Sequence, residues 1–443
     1  MTTAGPSEVL PPTSALPRGV LAGYALGSLV TGAFGTVPGL LLLPYLTDTL
    51  GVAAGVAGLL VLLPKAWDIL VNPVAGRISD RSGSRRPFLI TAGLLLGVLF
   101  AAIFAAPFEA GVPAAAYVAV AFLAAATAFA FFQVPYVAMP AELTSDYSER
   151  TRLMTWRVAV LALAILISGA LAPLVVELTG GGREGHRWAG GFVGALIVVG
   201  TLATYFGTRK AESRTAAASE PSLRAQLRVA AGNAPFRALL ICFVVQAAGI
   251  GTMLAGVQYF ADHVLHQESG ATFLFAAFVG PALLVMPLWT RVGHRHGKLR
   301  GLIAASLLFA LGALVLLAAP ALPAVAVYLI VALVGAGYAG QQVFAMAMLP
   351  DCIAYDTERT GRRQAGVFTG LWTAGETLGL ALGPGVYALL LQIFGYASSA
   401  TGESAVQSDS ARLGVLLGFT LVPAALVGLA VLLLRGYDER ITS

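Results

Sequence analysis

The sequence predicts an all-α integral membrane protein whose twelve transmembrane helices form two pseudo-symmetric six-helix bundles. Three observations carry that expectation. Of 443 residues, 58% are hydrophobic and 11% charged, with mean hydropathy +0.82, whereas a soluble domain carries about 25% charged residues. Apolar runs long enough to cross a bilayer recur almost to the end of the chain. Two polar segments that follow such runs repeat in the second half.

A hydrocarbon core offers no water to backbone groups, so each crossing must be a helix of about 20 mainly apolar residues. Twelve runs qualify: 19–46, 51–76, 87–107, 113–139, 155–178, 188–207, 236–262, 269–290, 300–319, 322–349, 364–395 and 411–434. The alternating short segments of a β-barrel are absent. The implied organisation is a tail over 1–18, a six-helix bundle over 19–207, a linker over 208–235, a second bundle over 236–434 and a tail over 435–443. The opening residues lack a basic stretch and the run from Val20 exceeds a signal core of about 7–15 residues, so the first helix is expected to be retained.

Basic residues set the orientation. If both termini are cytoplasmic, the outer loops hold only Arg183, Arg187 and Arg412 of the 27 Lys and Arg. Lys65 lies within a span, and the others fall on the inner side or, for Arg157, at its edge. Reversing the chain would invert this bias. The expected location is the plasma or inner membrane. The net charge of +5 and pI near 9.3 are thereby accounted for without a nucleic-acid partner. Cys242 and Cys352 are too few and too far apart for a disulfide framework or a metal cluster. Within the linker, Ser222 to Ala230 reads either as a short amphipathic helix on the membrane surface or as a solvated basic segment.

The internal repeat is specific. Glu142-Leu-Thr-Ser-Asp-Tyr-Ser-Glu149-Arg150-Thr151 follows the fourth run, and Asp351-Cys-Ile-Ala-Tyr-Asp-Thr-Glu358-Arg359-Thr360 follows the tenth, in register at an offset of 209 residues. Asp80-Arg81-Ser-Gly83-Ser-Arg85-Arg86 after the second run is echoed by His294-Arg295-His-Gly297-Lys-Leu-Arg300 after the eighth. Related halves of this kind place a binding site between them, near mid-depth.

Gly76-Arg-Ile-Ser-Asp80-Arg81-Ser-Gly83-Ser-Arg85-Arg86 resembles the signature loop between helices two and three of the major facilitator superfamily, and the resemblance extends over the whole chain. It implies that superfamily's fold, with Gly76, Asp80, Arg81, Gly83, Arg85, Arg86, Glu142 and Asp351 acting in conformational gating. A narrower resemblance, carried by Lys65-Ala-Trp67-Asp68-Ile-Leu-Val-Asn72-Pro73, Pro135-Tyr136, the 142–157 stretch and Asp351 to Gly366, is to the glycoside-pentoside-hexuronide:cation symporters. That group includes melibiose carriers and related lysolipid symporters. It implies a coupling cation, H+ or Na+, at Asp68, Asn72 and Lys65, any Na+ lying near Asp68. Asn72 stands where the family has a second acid, which favours a proton. The acids that grip the sugar in melibiose carriers align with Gly32 and Gln133, so galactoside recognition does not carry over. Arg157 occupies the position of the family's helix-five arginine.

The residues themselves point the same way. A carboxylate at the depth of Asp68 is costly unless paired or hydrated, which suits a coupling role. Lys65, one turn earlier, leaves open a static ion pair instead. Glu376 is the second intramembrane acid, a substrate ligand, a second proton site or a structural hydrogen-bonding group beside Gly375 and Gly379. Gln133, Tyr136, Gln258, Tyr338, Gln341 and Trp372 supply amides, phenols and an indole suited to a hydroxyl-rich neutral ligand, or else to joining helices.

No Gly-x-x-x-x-Gly-Lys-Ser/Thr, His-Glu-x-x-His or Gly-x-Ser-x-Gly segment occurs. The expectation is therefore a monomeric secondary active transporter with alternating access and no cofactor, not an enzyme. It would move a neutral sugar, glycoside or similar small solute with H+ or Na+. A lysolipid or drug-like amphiphile is the alternative substrate, and a non-transporting receptor or scaffold the alternative class.

Overall fold

The computed structural model describes residues 16–81, 86–144, 147–209, 228, 231–267, 269–361, 365–399, 406–434 and 437. Most of the expected tail over 1–18 and of the linker, including the candidate surface helix at 222–230, lies outside the described residues.

Twelve membrane-length helices follow the apolar runs: α1 Arg18–Leu42, α2 Ala54–Arg81, α3 Arg86–Ile103, α4 Gly111–Leu143, α5 Tyr147–Leu178, α6 Gly182–Thr208, α7 Ala234–Phe260, α8 Gly270–His296, α9 Lys298–Val315, α10 Ala324–Thr360, α11 Ala365–Ile393 and α12 Asp409–Leu433. Among the described residues, eleven meet both the length and the hydropathy of a span. In α2 the purely apolar part is Ala54–Pro64, because Lys65, Asp68 and Asn72 follow. The repeated acidic segments, which the sequence places after the apolar runs, are largely helical: Asp351 to Thr360 forms the last turns of α10. Polar residues continue a helix readily where it leaves hydrocarbon, and Gly361 ends it in the left-handed region at φ 67°.

The first helix is irregular. Gly27 interrupts it, and π turns occupy Pro38–Leu42 and Tyr45–Thr49. Pro38 and Pro44 lack the N–H that a regular turn would use, and widened turns at such points are a known accommodation.

In the first half α1 packs on α5 and α6, α3 on α4 and α6, and α2 on α4. In the second, α7 packs on α11 and α12, α10 on α8 and α9, and α9 on α12. Between the halves, α2 meets α11 and α5 meets α8. Advancing each number by six exchanges these two pairs, as an approximate two-fold axis between related bundles requires.

Small residues set the closest approaches. At the α7–α11 crossing, a Cβ on Gly383 would fall on the Gly251 carbonyl carbon, so only glycine allows these backbones to meet. Gly370, farther along α11, has open space around its Cα. Replacing Gly383 by Leu forces the helices apart, a cost of roughly 1–3 kcal/mol or more. We expect Gly383→Leu to lower the melting midpoint of detergent-solubilised protein by several degrees and Gly370→Leu to leave it almost unchanged, which a thermal-shift measurement checks.

Candidate functional site

The halves adhere at one end of the molecule, where α1–α2, α5–α6, α7–α8 and α11–α12 connect. There Thr47 and Tyr259 share a hydroxyl–hydroxyl bond of 2.7 Å. The Gly55 amide donates to Gln392 Oε1 at 3.1 Å and Ser398 Oγ to the Val52 carbonyl at 2.9 Å. Between α5 and α8, Ser269 donates to Glu177 at 2.6 Å and Thr272 to the Ala170 carbonyl at 3.1 Å. Gly58 and Gly385 accommodate Ala388 and Leu62 across the α2–α11 seam. Followed toward the other end at helical spacing, the same α11 stripe reaches Leu378, Ala374 and Gly370, all exposed, and α2 presents an exposed Asn72. The seam thus opens away from the adhering end.

Midway along the second half, α7, α10 and α11 enclose a small polar pocket lined by Phe243, Gln246, Ile250, Tyr338, Gln341, Gln342, Glu376 and others. Three sequence-singled residues meet here: Tyr338, Gln341 and Glu376. Gln342 Nε2 donates to the Tyr338 hydroxyl at 2.9 Å and reaches Glu376 Oε1 at 3.4 Å. Gln246 Nε2 is fixed on Ser306 Oγ at 2.9 Å, which leaves its Oε1 unpartnered. Gln341 is 1% exposed, yet neither its Oε1 nor its Nε2 has a hydrogen-bond partner. Trp372 stacks on Phe243 with ring centroids 4.1 Å apart, its buried Nε1–H likewise unpartnered. Buried amides are ordinarily paired, and an orphan costs about 1–3 kcal/mol. Two acceptors and one donor without protein partners therefore line one pocket, with the Trp372 indole behind its Phe243, the inventory that a hydroxyl-bearing ligand would satisfy.

The remaining residues singled out in the sequence are dispersed. Tyr136 is fully buried at the α1–α4–α5 junction, donating to the Tyr24 carbonyl at 2.8 Å and lying 3.1 Å from Ser28 Oγ. The Arg157 guanidinium carbon sits 5.5 Å from the Tyr136 ring centroid, with its buried Nε unpartnered. Gln133 is half-buried on α4. Gln258 lies at the adhering end, donating to both Asp262 oxygens at 3.0 and 3.1 Å, so the structure does not bring it to the pocket. Asp68 is 7% exposed, about 20 Å along α2 from Ala54. The Lys65 side chain lies outside the described residues.

Among the gating residues, Asp351 receives both an ion pair and hydrogen bonds from Lys298, with Nζ 2.7 and 2.8 Å from its oxygens. This joins α10 to the first residue of α9. Arg86 Nη1 donates to the Arg209 carbonyl at 2.8 Å, tying α3 to the end of α6, and Gly76 faces Val134 of α4. Gly83 and Arg85, and the side chains of Asp80, Arg81 and Glu142, lie outside the described residues.

The family described as MFS/sugar transport protein matches residues 23–438. The chain belongs to that family. It is a multi-pass membrane transporter of the major facilitator superfamily, not an enzyme. Similar proteins include the putative glycoside/cation symporter YagG of Escherichia coli strain K12, 26% identical and covering 91% of this chain and 88% of that one. The isoprimeverose transporter of Lactiplantibacillus pentosus is 25% identical, covering 89% and 83%. The glucuronide carrier protein homolog of E. coli strain K12 is 24% identical, covering 94% and 92%. Among solved structures, a bacterial homolog of the human lysosomal transporter Spinster, inward-facing and occupied, superposes with TM-score 0.70 at 14% identity, covering 95% and 96%. The nucleoside transporter NupG gives 0.65 at 13%, covering 94% and 99%.

Sequence reasoning missed Phe243 as the aromatic floor beneath Trp372, because one Phe in an apolar run carries no signal. Gln246 and Gln342, not among the residues singled out, are amides within apolar runs, and such amides in lipid are the very signal to follow. Gln341→Leu removes a buried amide that lacks partners at nearly constant volume. We expect this variant to melt at or above the parent midpoint while losing any solute-dependent thermal shift, a combination that a structural amide does not give.

Proposed function

We propose that this transporter is a cation-coupled symporter of a small, neutral, hydroxyl-rich solute such as a sugar or glycoside. It works by alternating access, with both termini cytoplasmic and the adhering end facing outward. The two bundles, 19–207 and 236–434, act as the moving units. The observation that carries the solute class is Gln341: a buried carboxamide whose donor and acceptor both await partners, in one pocket with the free acceptor of Gln246. Hydroxyl groups donate and accept at once and satisfy such a set without charge. The names of the relatives, a glycoside/cation symporter, an isoprimeverose transporter and a glucuronide carrier homolog, agree with this class.

In this reading Gln341, Trp372, Tyr338 and Glu376 hold the solute from the second half, and Arg157, Tyr136 and Gln133 face it from the first when the halves close. Asp68 binds the cation, a proton in preference to sodium because Asn72 replaces a second acid. Coupling requires that solute and cation each shift the same access equilibrium. Asp68 is buried in the part of α2 beyond its seam with α11, so its access to water follows the state of that seam.

Accumulation in proteoliposomes under imposed proton or sodium gradients tests the proposal, with pentosides, hexosides and uronides as competing solutes. Asp68→Asn is expected to abolish gradient-driven accumulation by at least about tenfold while preserving solute exchange, a loss of one proton-linked step. Normal accumulation by that variant would remove Asp68 from the mechanism. Glu376→Gln separates two roles: lost binding assigns Glu376 to the solute, and retained binding with lost accumulation assigns it to the cation.

A further inference from the structure

At the adhering end a chain of three side chains crosses between the halves. The Tyr396 hydroxyl, in the α11–α12 connection, donates to Asp48 Oδ1 at 2.9 Å, and His263 Nε2 lies 2.9 Å from the same hydroxyl. Since Tyr396 gives its proton to Asp48, its oxygen accepts from His263, so the imidazole carries its proton on Nε2. Asp48 belongs to the first half, beyond the apolar span Arg18–Leu42. His263 and Tyr396 belong to the second. The neighbouring backbone bond from Ser399 N–H to the Thr47 carbonyl, 2.9 Å, fastens the same two segments.

Asp48 also lines a cavity of about 220 Å³ between the halves, whose walls include Glu177 of α5, His186 of α6 and Asp262 at the end of α7. Tyr259 of α7 and Tyr387 of α11 face Asp48 as well. Arg183 and Arg187 of α6 bond the Ala106 carbonyl, and Arg412 faces His263. Asp48 is thus held by a phenol, among other acids and neutral groups, and among the described residues no cation bonds it.

We propose that Asp48, Tyr396 and His263 form a proton-operated latch, in which protonation of Asp48 from the outer side holds this end shut and its deprotonation releases it. The inference deepens the alternating-access reading by naming what governs access at one end, and Asp48 acts as a positioning residue, separate from the cation site at Asp68. In the shut state burial pushes the Asp48 carboxyl up from 3.8 to about 7, Asp262 adding to the effect and the Tyr396 hydroxyl opposing it. When the end opens, water returns Asp48 toward its ordinary value. A group whose value is raised in one state favours that state fully below the ordinary value and loses the preference as pH climbs through the raised one. The shut state is therefore favoured in acid and weakened as pH rises from about 4 to about 7.

Spin labels at Val112→Cys and Val325→Cys, exposed positions opening α4 and α10 at this end, report its separation in the full chain, without solute or gradient. Linkage predicts an open-to-shut ratio that rises about tenfold between about pH 6 and about pH 8. Asp48→Asn is expected to stay shut across that range, and Tyr396→Phe to raise the open fraction throughout. A pH response in Asp48→Asn equal to that of the parent, or a parent with no response, overturns the latch. Should Asp48→Asn fail to fold, an open fraction in Tyr396→Phe and His263→Gln equal to the parent's overturns it equally. Because no solute enters the measurement, a wrong solute or coupling ion leaves this result unaffected, and a failed latch leaves the solute assignment standing.

Discussion

The two halves are joined by short-range polar contacts and close small-residue packing at one end, and the rest of the molecule's behaviour depends on that one-sided adhesion. Hydrogen bonds such as Thr47–Tyr259 and Gly55–Gln392 are each worth only about 0.5–1.5 kcal/mol net. An interface built of a few such bonds, together with glycine-mediated contacts that need no interdigitation, can part and re-form at modest cost. Extensive interlocking of large side chains would make a stable pair of bundles and a poor transporter. Inside the halves, stacked aromatic side chains interlock neighbouring helices, as Phe34 does with Phe129 in the first and Phe243 with Trp372 in the second.

Most of the fold was legible in the sequence because lipid simplifies folding rules. A backbone that cannot bond to water must be helical, so twelve apolar runs read as twelve helices, and the Glu142/Asp351 repeat announced two related halves. Helix ends were less legible. Asp351 to Thr360 reads as a loop by polarity but remains helical, since leaving hydrocarbon does not oblige a helix to stop. The π turns in α1 also escaped detection, because Pro38 and Pro44 signal a disturbance and not its form.

The candidate site was partly legible. Single polar residues in apolar runs drew attention to Tyr338, Gln341 and Glu376, which line one pocket, and to Trp372, which stacks on that pocket's Phe243. The same criterion also selected Tyr136, buried between α1, α4 and α5 with its hydroxyl on the Tyr24 carbonyl, and Gln258, whose amide nitrogen bonds Asp262 at the adhering end. Polarity in a span says that a group needs a partner; only the packing tells whether the protein supplies it. Asp48 and Tyr396 went unremarked because they sit where polar residues are ordinary, at the edges of spans, and 348 positions separate them.

The widened turns of α1 have a mechanical corollary. Each π turn houses about one residue more than an α turn, so Pro38–Leu42 and Tyr45–Thr49 leave the tip of the helix wound out of phase with its base. Converting one of them to regular winding would swivel the tip by roughly 100° about the helix axis and carry the Asp48 carboxylate off the Tyr396 hydroxyl without unfolding any residue. The winding of this helix and the aim of the Asp48 carboxylate are thus one geometric quantity.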